Sequence, residues 1–195
     1  MEFSFYFFAV CAIFVLTDAE DFLITIILSM LHEFGHIFAI LTLKKKISEI
    51  KINAFSVDIV QNNFQYLPYS KELFILFSGP VVNIVFSSLA GIVYVLTSME
   101  IFEVFAIQSF LIGIVNLFPI FSLDGGKIFL IFLRNFFSDI KSEKILFLVS
   151  ILFIIPMMSF GFYTFLRSFN FSILVLSIYL SSFLIIREPK FFTRK

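Results

Sequence analysis

Six apolar runs separated by short polar stretches organise this chain: residues 3–17, 22–43, 73–96, 104–123, 145–165 and 169–186. A helix needs about 20 apolar residues to cross a hydrocarbon core of about 30 Å. Runs two to five reach that length, the first is short, and the sixth slightly so. The pattern predicts an all-α polytopic membrane protein of about six transmembrane helices. The segment "GGKIFLIFLRNFF" after the fourth run is also apolar. It predicts a further helix beyond a break near Pro119 and the Gly125–Gly126 pair. Between the second and third runs the pattern changes. "ISEIKINAFSVDIV" alternates β-branched and polar residues, which predicts one or two short strands within residues 47–66.

Composition supports the membrane reading. The chain is 60% hydrophobic and 14% charged, where a soluble domain carries about a quarter charged residues. Net charge is zero, so no basic surface asks for nucleic acid. The single cysteine, Cys11, excludes an internal disulfide and a cysteine-built metal site. The start "MEFSFYFFAV" has no basic residue, so the first run is expected to be a retained span rather than a cleaved signal. No repeat or separate soluble domain is visible, and residues 1–195 read as one transmembrane domain.

Charge then orients the spans. With the N-terminus in the cytoplasm and six crossings, every lysine and arginine except Arg167 falls in a cytoplasmic loop or tail. The first external loop, "DAED", is acidic. By the positive-inside rule both termini are cytoplasmic.

The second run holds both histidines of the chain, in "HEFGH" at residues 32–36. Residues four apart share a helix face, so His32 and His36 can reach one metal ion, with Glu33 beside the first. Two imidazoles holding zinc and a glutamate serving as general base toward water is the H-E-x-x-H arrangement. Ionisable residues at a helix centre in lipid are costly and mark functional sites by default. His36 stands eight residues and His32 twelve before Lys44 at the cytoplasmic end. The site is therefore expected ~12–18 Å below that surface, in the cytoplasmic half of the membrane.

Catalytic zinc takes three protein ligands and leaves a fourth position open. No third histidine exists, and Asp124 in "NLFPIFSLDGGKI" is the candidate carboxylate. The competing reading is an Asp-Gly turn at a helix end. In "FSGPVVNI", Gly79 permits close helix packing. Asn83 either bonds a substrate backbone or a developing oxyanion, or makes a structural interhelical bond. Asn116 has the same two readings. Gln108 and Glu103 read as packing and boundary residues.

Together "HEFGH", "SGPVVN" and "NLFPIFSLDGG", in that order over residues 32 to 126, resemble the site-2 protease family of intramembrane zinc metalloproteases. The resemblance implies a catalytic core over about residues 22–138. It implies zinc ligands His32, His36 and Asp124, catalytic Glu33, and Asn83 and Asn116 near the substrate. The compact layout without a PDZ domain is similar to the stage IV sporulation protein FB group. That implies a membrane-tethered sigma-factor precursor as substrate, a bacterial cell membrane as setting, and room for an inhibitory membrane subunit. Two departures stand out. Phe121 occupies a position where the family often has a second proline, and the sequence reaches Lys195 soon after the last run, so the nucleotide-sensing CBS domain of several relatives is not expected. A membrane metal-ion transporter is the rival reading, since intramembrane histidines and carboxylates also mark ion pathways. A catalytically inert scaffold is a second rival, against which the presence of Glu33 argues.

Overall fold

A computed structural model of the chain describes residues 19–43, 49–53, 56–60 and 68–192. The first apolar run and Cys11 lie outside the described residues. The elements are α1 (Ala19–Thr42), β1 (Glu49–Asn53), β2 (Ser56–Val60), α2 (Tyr69–Thr97), α3 (Glu100–Asn116), α4 (Asp124–Arg134), α5 (Asp139–Ser168) and α6 (Ser172–Phe192). Among the described residues, three helical stretches are long and apolar enough to cross a membrane: Leu23–Thr42, Tyr69–Thr97 and Asp139–Ser168. The apolar part of α6, Ser172–Ile185, is shorter, and α3 has 17 residues. β1 and β2 pair antiparallel, with Glu49 opposite Val60 and Asn53 opposite Ser56.

The fourth apolar run does not form the single span that its hydropathy predicts. Its helix stops at Asn116, and residues 117–123 are irregular. Pro119 has no N–H to continue a helix, and the following glycines draw the chain back on itself. A separate helix, α4, then begins at Asp124.

The chain divides into two compact units, Met1–Asn116 and Leu117–Lys195. In the first, α2 is the central helix and packs on both α1 and α3. Small residues allow the close approach, as expected where lipid offers no hydrophobic drive between helices. A Cβ on Gly35 would stand 2.7 Å from the Ser78 carbonyl oxygen and 3.1 Å from Gly79 Cα. On the other side, a Cβ on Gly113 would meet the Pro80 carbonyl at 3.2 Å. Polar pairs fix the register. Ser109 Oγ donates to the Asn83 carbonyl at 2.8 Å, and Ser87 Oγ donates to the Ala106 carbonyl at 2.7 Å. Thr25 Oγ1 donates to Gln108 Oε1 at 3.1 Å, so Gln108 ties α3 to α1. α2 ends at Ser98 in the left-handed conformation, φ 53°, its N–H bonded to the Tyr94 carbonyl. The outer faces are apolar, with Phe34, Phe38 and Val95 well exposed, as suits lipid.

In the second unit the irregular segment is held by polar contacts. Phe121 N–H donates to Ser150 Oγ at 2.9 Å, and that hydroxyl donates to the Leu146 carbonyl at 2.8 Å. Ile120 is fully buried. A Cβ on Gly125 would collide with the Leu117 carbonyl, and one on Gly126 with the Ile120 carbonyl. Neither glycine has a positive φ, so both are required by backbone approach rather than by a turn conformation. At the start of α5, Arg134 Nε pairs with Asp139 at 3.0 Å. α5 and α6 cross closely at Gly161, where a Cβ would lie 2.7 Å from Leu174 N.

Candidate metal centre

α1 carries His32 and His36 one turn apart, both buried at 5% and 7% exposure. Their Nε2 atoms are 3.2 Å apart, with ring centroids at 4.9 Å and planes at 80°. Two nitrogens each about 2.0–2.1 Å from a tetrahedral zinc stand about 3.3 Å apart. The pair thus already has the spacing of a chelate.

The neighbours of the rings set which nitrogen faces inward. His36 Nδ1 lies 2.7 Å from the Ile75 carbonyl. A carbonyl only accepts, so Nδ1 carries the proton and Nε2 becomes the acceptor nitrogen. Ser78 Oγ donates to the same carbonyl at 2.6 Å and stands 3.4 Å from His36 Nδ1, closing the outer side of the ring. Imidazoles that bind metals are commonly oriented by an outer carbonyl of this kind. On His32 the outward nitrogen, Nδ1, is 3.5 Å from the Asn83 amide, which is fully buried. Asn83 Oδ1 is buried with no hydrogen-bond partner. Amide oxygen and nitrogen are assigned from the network. The amide turned by a half-rotation presents that oxygen to His32 Nδ1–H and gives both rings the same tautomer. With both rings in that tautomer the facing Nε2 atoms can hold a cation between them; with a proton on one of them the same 3.2 Å contact is an N–H···N hydrogen bond.

α2 provides the space. Gly79 faces both rings, and a Cβ there would lie 2.7 Å from His32 Nε2 and collide with His36 Nε2. Only a residue without a side chain leaves that volume open.

Glu33 is half-buried on α1 beside the first histidine. The structure therefore brings His32, His36 and Asn83 together in the first unit. Asn116 closes α3 and donates its Nδ2 to the Ile112 carbonyl of its own helix at 3.0 Å. Asp124 belongs to the second unit. It is 8% exposed and is the first residue of α4, where a carboxylate suits the helix dipole. The Asp-Gly turn reading does not describe it, because Asp124, Gly125 and Gly126 form the first turn of a helix. Sequence reasoning missed Ile75 and Ser78. Ser78 was visible as a polar residue inside an apolar run, but Ile75 contributes only its backbone and has no side-chain signal.

Comparison with known proteins adds two findings. The family model described as Peptidase family M50 matches residues 95–158, a stretch that includes Asn116 and Asp124 but not the histidine pair. The structure is similar to that of the site-2 protease from Methanocaldococcus jannaschii, with a TM-score of 0.67 and 22% identity over 90% of this chain and 82% of that one. No curated protein matches the chain. The M50 match covers about a third of the chain, and the likeness to the site-2 protease is one of fold.

Proposed function

We propose that this chain is an intramembrane metalloprotease that hydrolyses a peptide bond within or near a transmembrane segment of a membrane-tethered protein. The observation that carries the proposal is the histidine pair, with its 3.2 Å nitrogen spacing and with the Ile75 carbonyl and Asn83 amide on the outer sides of the rings. We assign His32, His36 and Asp124 as the ligands of a zinc ion, on their residue types and on the order of their motifs along the chain. A bound zinc would supply Lewis-acid activation of water and of the scissile carbonyl.

The remaining steps fall to the chain's own groups. Glu33 takes a proton from the attacking water and delivers it to the leaving amine. The Ile75 carbonyl and Ser78 hold the His36 ring. Asn83 holds His32, and Asn116 contributes to substrate binding from the end of α3. The site faces the cytoplasmic half of the membrane, in a six-span chain with both termini cytoplasmic. A substrate helix hides its carbonyls in its own hydrogen bonds and has to unwind. The extended segment then pairs with an edge of the β1–β2 ribbon. Similarity to the stage IV sporulation protein FB group suggests a sigma-factor precursor as substrate and an inhibitory membrane subunit as regulator.

The test needs no guess at the substrate. Protein N-termini are compared across the host proteome with wild-type protein and with Glu33→Gln. New N-termini inside apolar segments that vanish in the variant support the proposal. An identical set, with both proteins expressed and zinc-loaded, overturns it. Zinc uptake into proteoliposomes unaffected by Glu33→Gln would favour the transporter.

A further inference from the structure

The segment "FSGPVVNI" raises a question that ligand assignment leaves open: what Gly79 does between two ligand rings. A glycine at a helix contact ordinarily lets two backbones approach. Gly35 on α1 fits that description, since its missing Cβ would meet backbone atoms of Ser78 and Gly79. Gly113 fits it on the α3 side, facing the Pro80 carbonyl and Asn83 Cβ. Gly79 does not. The three atoms that a Cβ there would meet first are His36 Nε2, His32 Nε2 and His36 Cε1. All three belong to imidazole rings, and two are the Nε2 atoms that face each other.

We infer that Gly79 is a positioning residue for the metal: its absent side chain keeps open the volume beside both Nε2 atoms, and any side chain there excludes the ion. The reason is geometric. The nitrogens are 3.2 Å apart, already close to the spacing of two zinc ligands. A methyl group in contact with both cannot coexist with that spacing. Either the rings swing outward, or α2 retreats from α1. The first movement pulls His36 Nδ1 from the Ile75 carbonyl and His32 from Asn83. The second separates Ser78 and Ile75 from His36. Each destroys the two-histidine chelate while leaving the helices themselves intact.

This inference rests on the reading of His32 and His36 as metal ligands, and the experiment separates the two. Zinc per chain is measured on purified, detergent-solubilised protein after dialysis, and zinc affinity by competition with a chromophoric chelator. The cobalt-substituted protein gives a visible spectrum as a second readout. Four proteins are compared: wild type, His36→Ala, Gly79→Ala and Gly113→Ala. The expected result is about one zinc per chain in wild type and in Gly113→Ala. His36→Ala and Gly79→Ala should each lose at least about tenfold in affinity and lose the cobalt spectrum. Wild type that binds no zinc overturns the ligand reading and this inference together. Zinc lost in His36→Ala but retained in Gly79→Ala overturns the inference alone. If Gly79→Ala does not yield a monodisperse helical protein, it is combined with His32→Ala and His36→Ala, which remove the rings that the methyl would meet. Recovery of a folded protein supports the inference. Continued misfolding assigns Gly79 to helix packing and overturns it.

Discussion

Two glycine-containing contacts in this molecule look alike in sequence and do opposite work. Between α1 and α2, Gly79 stands opposite side chains, and the space it leaves is bounded by imidazole nitrogens. In the second unit, Gly125 and Gly126 stand opposite the carbonyls of Leu117 and Ile120, and the space they leave is filled by the chain's own backbone. The first contact makes room for something absent from the polypeptide. The second removes room, so that an irregular segment can be packed without voids in a setting where stray backbone is tolerated only against protein or water. A methyl group should therefore cost metal in one place and stability in the other.

The contrast can be broken by measurement, beginning with the largest effect. Glu33→Gln is expected to lower proteolysis by about 10²–10⁴-fold with zinc retained, read by cleavage of a substrate found through the N-terminal comparison. Full activity in the variant would remove Glu33 from its role as base. Gly126→Ala is expected to destabilise the second unit by about 3 kcal/mol, the upper range for forced overpacking, read as a drop in thermal midpoint in detergent. A midpoint equal to wild type would mean that the backbone contact is not needed. Ser150→Ala removes the acceptor for Phe121 N–H and should cost about 1–3 kcal/mol, the penalty for stranding a buried donor. Ser150→Thr keeps the hydroxyl and tests whether the bond or the volume matters. The smallest effect belongs to Thr25→Val. Its bond to Gln108 is one interhelical hydrogen bond, worth about 0.6 kcal/mol in a membrane protein. A larger loss would mean that this pair does more than join α1 to α3.

Much of the first unit was legible because its information is periodic. His32 and His36 fall on one helix face by spacing alone. The second unit was harder to read. Hydropathy counted Leu117, Phe118 and Ile120 as continuation of a span, since burial against protein and burial in lipid give the same apolar signal. Pro119 marked the break, but only the structure shows that the helix ends three residues earlier. The roles of the glycines were not legible either. A missing side chain carries no sign of what it makes room for, and Gly79 and Gly126 differ only in what stands opposite. Ser150 was a readable hint, a hydroxyl inside "LFLVSILF". Its partner, a backbone N–H from a distant segment, was not.

The corner at Ser98 has a consequence well beyond its own position. α2 ends there in a left-handed residue and α3 begins at Glu100, so almost no chain separates two antiparallel helices. The phase of α3 is therefore inherited from α2. A residue inserted within α3 before Ser109 would turn the rest of the helix by about 100°, carrying Ser109 away from the Asn83 carbonyl and Gly113 away from Pro80. The hairpin can accept change at its exposed tip, but the number of residues between Glu100 and Ser109 is fixed.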